Sequence, residues 1–328
     1  MAEDRRPRPA TPAISRAISP SGCAPCRHEP RACRPRHNVP QAARHGTRDT
    51  GGGTGGRSTT LTKVGKRGCR LLAATLLVAA VAAASAAARA ENADIARNRA
   101  TERKSFTDAQ IADGLFKIAF GAEFSVAGRV DRIRRFEKPI RVFIDNQGQP
   151  DRRAQVAAVV EDIRRRIEHI DIALTRDAGE ANVVVTLVRD RDLQRIIRKR
   201  YGAKRARQIQ TSLEPQCLSG FRKDDMFRIV RSDVLLVSDV GDYIFYDCAY
   251  EELLQALGPI NDDESVPWTM FNDNVQMGFF DVYDQYLLNV IYHPRVRAGM
   301  TREDVRALLP DIMPEVRAFV ARINKLGE

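Results

Sequence analysis

The sequence predicts an α+β domain built on a small mixed sheet, and three observations predict it. Two short apolar runs, Ile140 to Ile144 and Asn182 to Val188, have the length and β-branched content of strands. Longer segments around them place apolar residues at helical spacing. The stretch from Glu91 to Glu328, 238 residues, is ample for one core.

In chain order, Thr107 and Gln110 form a capping box that opens a helix, with Ile111, Leu115, Ile118 and Ala119 as its stripe and Gly121 and Gly128 marking its exit. Ile140 to Ile144 is a strand, and Asp145 to Gly148 a turn. A long first helix of the domain follows from Asp151 to about Leu174, where Val156, Val160, Ile163, Ile167 and Ile170 recur. Asn182 to Val188 is a buried strand. The basic run Arg189 to Arg207 reads as a helix with a solvated charged face. Phe227 to Val230 and Val234 to Val237 read as a hairpin or two consecutive strands. A helix runs from Gly241-Asp242 to Leu257. Near the end, Thr301 with Asp304 caps a helix that Pro310 breaks, and Pro314 restarts a last one.

The N-terminal part has another character. Lys63, Lys66, Arg67 and Arg70 precede the apolar run Leu71 to Ala87, which closes on Ala88-Arg89-Ala90, an A-x-A cleavage pattern. Residues 61–90 therefore read as a signal peptide, and the working chain as exported, to the periplasm or outside the cell. The run is too short and Ala-rich for stable membrane insertion. Residues 1–60, rich in Arg, Pro, Gly and Thr, are expected to be disordered or not translated. Residues 91–138 form an N-terminal helical extension, and 139–328 the domain with its C-terminal helices.

Charge and cysteine content follow this division. The first 90 residues hold sixteen Lys and Arg against four Asp and Glu, leaving 37 basic and 38 acidic of the chain's 53 and 42. The near-neutral remainder argues against nucleic acid as a partner. Cys23, Cys26, His28, Cys33 and His37 mimic a zinc cluster but lie before the signal. Cys217 and Cys248 remain, an even count outside the reducing cytosol; one disulfide is expected, two buried thiols being the alternative.

From Ser232 to Tyr292 no Lys, Arg or His occurs, and within that stretch lies Glu251-Glu252-Leu253-Leu254-Gln255-Ala256-Leu257-Gly258-Pro259-Ile260-Asn261. It resembles the metzincin zinc-peptidase pattern H-E-x-x-H-x-x-G-x-x-H, in which two His share a helix face, the Glu polarises water and Gly turns the chain toward a third ligand. Glu252, Ala256-Leu257 and Gly258 occupy matching positions, while Glu251, Gln255 and Asn261 stand where the ligands would be. Met270 stands where the Met-turn would fall, and Phe280 to Leu288 with Ile291-Tyr292 resembles the closing helix. The order strand, helix, strand, strands and motif helix also resembles that fold. Cys248, Glu251-Glu252, Gln255 to Gly258, Asn261-Asp262, Phe271 to Asp273, Tyr283-Asp284 and Tyr292 through Gly299-Met300 are similar to a family of secreted bacterial proteins without an assigned activity.

The resemblance implies a zincin-like fold whose Glu251, Glu252, Gln255 and Asn261 form a polar cluster in a cleft, with Glu252 the candidate catalytic residue. Gln and Asn carbonyls are weak donors to zinc, so neither zinc nor another cofactor is expected. Three functions remain open. The first is a non-catalytic exported domain that binds a peptide or envelope protein, or serves as a scaffold. The second is a metal-independent hydrolase using Glu251 and Glu252, with Asp262, as acid and base. The third is a domain stabilised by calcium at Asp262, Asp263, Glu264 and Asp273.

Overall fold

A computed structural model describes residues 91–121, 131–212 and 216–327; residues 61–90, which read as a signal peptide, the segment before them and Gly128 lie outside the described residues. Seven helices and five strands are described: α1 Ala93–Thr101, α2 Asp108–Ile118, β1 Ile140–Asn146, α3 Arg153–Arg166, β2 Ile172–Leu174, β3 Val183–Val188, α4 Asp190–Ser212, β4 Cys217–Lys223, β5 Ile229–Val237, α5 Asp242–Gln255, α6 Val282–Tyr292 and α7 Arg302–Asn324. None of the described helices is long and apolar enough to cross a membrane.

The strands form one sheet in the order β2-β1-β3-β5-β4. β1 pairs in parallel with β2 and β3, and β3 with β5; only β4 runs antiparallel, along the edge of β5. Alternation along the strands separates two faces. Val142, Val183, Val185, Val234 and Leu236 belong to the large core that also takes in α3 and α5 residues such as Val160, Ile163, Phe245 and Leu253. Val188, Leu235 and Val237 belong to a smaller core under α4, with Leu193, Ile196 and Ile197. The basic α4 thus buries an apolar stripe and leaves Arg191, Arg195, Arg198 and Lys199 exposed, as a solvated face requires.

Every residue of α6 is buried. Ile95 of α1, Phe106, and Ile111 and Leu115 of α2 share the large core with it, so the N-terminal helices pack within the same core as the sheet. Two buried arginines close helix ends. Arg134 donates to Ala119 and Gly121 carbonyls after α2, and burial pushes its guanidinium down to about 10. Arg135 donates to the carbonyls of Ile291, His293 and Val296 at the end of α6, where a cation meets the negative end of the helix dipole.

Several elements differ from expectation. The helix from Asp151 stops at Arg166, not near Leu174, because Ile167 turns extended and Ile172–Leu174 pairs with β1 as an edge strand. The hairpin or two consecutive strands expected over residues 227–237 are one strand, β5, preceded by Phe227 at φ 63; the hairpin partner is β4, whose Cys217-Leu-Ser-Gly-Phe-Arg-Lys223 lacks apolar alternation. Pro310 does not break α7, which is continuous through both prolines. Its buried side chains, Val305, Leu309, Ile312, Val316, Phe319 and Val320, keep one helical stripe across them, so packing outweighs the lost backbone bonds. The capping boxes at Thr107 with Gln110 and Thr301 with Asp304 are both formed.

Candidate functional site

α5 leaves β5 through Gly241 and carries the motif in its last turn. Glu251 and Gln255, four residues apart, share a helix face. Beyond the helix the chain passes through Gly258 at φ +144, where a Cβ would lie 2.2 Å from the Arg134 carbonyl, so only glycine fits this turn. A disulfide between Cys217 and Cys248 fastens β4 to α5, with Cα atoms 5.8 Å apart. That link places Ser219 of β4 against Gln255.

The polar residues of the motif separate into three environments. Gln255, buried, accepts from Ser219 Oγ at 3.1 Å and donates from Nε2 to Asp262 Oδ1 at 3.0 Å. Asn261 is turned away: its Nδ2 donates to the Lys117 carbonyl at 2.9 Å, and its side chain abuts Gly121, tying the motif loop to the end of α2. Glu251 is partly buried, and its carboxylate oxygen comes within 4.8 Å of oxygens of both Asp262 and Asp273, which also lie within that distance of each other. Glu252 is buried behind it. Burial, then the charges of Glu252, Asp262, Asp247 and Asp273, push the Glu251 carboxyl well above the usual carboxylate range.

The structure thus brings Glu251, Glu252 and Gln255 together with Asp262 and Asp273, and leaves Asn261 outside. Of the four acids expected for calcium, Asp263 accepts instead from Ser265 backbone and hydroxyl, and Glu264 points into solvent while its carbonyl holds Asn272. A zinc triad does not fit these residues. Gln255 has both amide atoms engaged, Asn261 faces another element, and His169 and His293 meet edge to face with ring centroids 5.9 Å apart and His293 against Glu315. Three carboxylates are instead a hard, all-oxygen donor set.

The loop after the motif is held by buried acids that spacing alone did not single out as a group. Met270, buried, donates its N–H to Asp284 Oδ2 at 2.9 Å, and Thr269 donates its hydroxyl to Asp284 Oδ1 at 2.5 Å. Asp247 accepts the Met277 and Gly278 N–H groups, and burial pushes it up to about 6. Asp281 caps α6 by accepting the Asp284 N–H. The available signal was Asp281-Val-Tyr-Asp284, a cap with an acid three residues on.

Residues 108–311 match the model of a family described as a protein of unknown function, DUF2927. No curated protein and no solved structure matches the chain.

Proposed function

Because the chain belongs to the DUF2927 family, whose function is unknown, we propose from its own geometry that it is an exported, non-catalytic domain of peptidase-like shape that binds a peptide or envelope protein. The observation that carries this reading is the fate of the three ligand positions. Gln255 is locked between Ser219 and Asp262, Asn261 is bonded to the Lys117 carbonyl, and Glu251 faces other carboxylates. Side chains so engaged cannot converge on zinc, and Glu252 then lacks the electrophile that peptide hydrolysis requires. The peptidase-like shape is supported by the order β1, α3, β2, β3, α4, β4, β5 and α5, by Gly258 at the turn and by the buried Met270. Export rests on the signal-peptide pattern ending at Ala90 and accords with the Cys217 to Cys248 disulfide.

A second reading, calcium-stabilised structure, is favoured by the approach of the carboxylate oxygens of Glu251, Asp262 and Asp273 to within 4.8 Å of one another. Metal analysis and peptide-library digestion of the purified protein test both. The first reading expects no stoichiometric zinc and no cleavage. Stoichiometric zinc overturns it, stoichiometric calcium selects the second reading, and cleavage without metal selects an acid and base pair at Glu251 and Glu252.

A further inference from the structure

A cavity of about 240 Å³ lies between α1, the segment leading to α2, and the loop before α6, and Glu251, Asp262 and Asp273 do not line it. Glu102 and Asp281 line it, with Phe106, Trp268 and Arg103. Glu102 Oε1 accepts the Val282 N–H at 2.6 Å, and Asp281 Oδ1 accepts the Asp284 N–H at 3.0 Å. The other oxygen of Asp281 is buried without a donor, on a residue only 1% exposed, and the side-chain neighbour its carboxyl meets is the carboxyl of Asp284, another acid. A buried carboxylate oxygen that meets no donor carries a desolvation cost that a ligand donor would offset.

The one basic side chain on the cavity does not meet this need. The Arg103 guanidinium stacks over Phe106 and Trp268 at 4.8 and 4.5 Å, and its N–H groups go to the Ser105 carbonyl and Gln110 Oε1. Among the described residues neither Glu102 nor Asp281 has an ion pair. The aromatic wall is thus already one that receives a cation, beside two carboxylates without an ion pair, Lys104 and Arg99 acting on Glu102 only from a distance.

We propose that this cavity is a binding site for a primary ammonium group, carried by a small amine or by a lysine side chain, with Glu102 and Asp281 as its acceptors and Trp268 and Phe106 against its alkyl chain. The volume is below that of drug-sized sites, which suits one extended side chain. An ammonium supplies three donors for acceptors spread over two carboxylates. The inference does not depend on the peptidase-like reading, because none of the motif residues lines the cavity.

Trp268 is the only tryptophan of the chain, so intrinsic fluorescence reports on this cavity directly. In amine-free buffer near neutral pH, n-butylamine and Nα-acetyl-lysine N-methylamide are titrated beside their uncharged counterparts, n-butanol and Nα-acetyl-norleucine N-methylamide. The expected result is a saturable change with at least one ammonium probe and none with the uncharged probes. Tighter binding of the lysine derivative assigns the source to peptides; equal or tighter binding of butylamine assigns it to free amines. D281N and E102Q are each expected to weaken binding about tenfold or more. Both keep an oxygen for the N–H that the carboxylate now accepts, and Asn caps helices as well as Asp, so folding survives, as a melting curve checks. No saturation up to about 10 mM, an equal response to the uncharged probes, or unchanged affinity in whichever variants fold overturns the site.

Discussion

Two groups of acids, Asp281 with Asp284 and Glu251 with Asp262 and Asp273, differ in how their charge is met. Asp284, fully buried, accepts from the Thr269 hydroxyl and the Met270 N–H, and Asp281 caps the helix on which Asp284 stands. Glu251, only partly buried, meets no donor among the described residues and faces Glu252, Asp262, Asp247 and Asp273. The first group is wired into the backbone, and the second is held together by the fold against its own repulsion. Removing a carboxylate should therefore damage one and relieve the other.

The largest effect is expected at Asp284. Asp284→Ala strands the Thr269 hydroxyl and the Met270 N–H in the core and should cost about 3 kcal/mol in chemical denaturation. Asp284→Asn retains an acceptor and should cost clearly less. Equal losses for the two variants would mean that packing, not hydrogen bonding, anchors the loop.

Next in size is the response to pH. Burial is the leading cause that raises Glu251, Asp281, Asp247 and Asp284, the last two to about 6. An acid whose pKa is higher in the folded than in the unfolded chain binds its proton more tightly when folded. Its contribution to stability is complete below the ordinary Asp value of 3.8 and is lost as pH climbs through the folded value near 6. The melting temperature should therefore fall between about pH 4 and about pH 7, by the equivalent of about 2 to 3 kcal/mol for each of Asp247 and Asp284. A flat or rising profile would contradict the burial of these acids. If calcium occupies the Glu251 group, saturating calcium should flatten only the share of the slope that Glu251→Gln also removes.

Glu251→Gln itself should stabilise the metal-free protein by about 1 kcal/mol near neutral pH, since one of several crowded negative charges is deleted. The same change should abolish any stabilisation by calcium. A loss of stability instead would show that Glu251 has a partner that its surroundings do not suggest.

Much of this architecture was legible in the residues because its signals are local. Thr107 with Gln110 and Thr301 with Asp304 are caps, Ile140 to Ile144 and Asn182 to Val188 are strands by composition, and Glu251 with Gln255 share a face by spacing. What was not legible depends on tertiary partners. β2 is three residues long and exists because β1 offers an edge; β4 is an edge strand with Gly220 and two basic residues, without a readable period. The approach of Asp262 and Asp273 to Glu251 depends on the path of the loop, which Asn272 sets through bonds to the Glu264 and Val266 carbonyls. Spacing placed Asn261 on the ligand register, but only the position of α2 decides where its amide goes.

Asn261 gives the smallest effect and the sharpest separation of the acid clusters from the rest of the motif. Its amide donates to Lys117, and a Cβ at Gly121 would come within 2.4 Å of its side chain. Asn261→Ala should cost about 1 kcal/mol, the worth of one hydrogen bond. Gly121→Ala should cost more, because the new methyl collides with the amide. In the double variant the obstacle is gone, so its cost should be smaller than the sum of the two, with a coupling of about 1 kcal/mol. Additive costs would mean that the amide does not rest on Gly121, and would free Asn261 to turn toward Glu251. Coupling, with Glu251→Gln leaving it unchanged, would fix the third ligand position as a strut between the motif loop and α2.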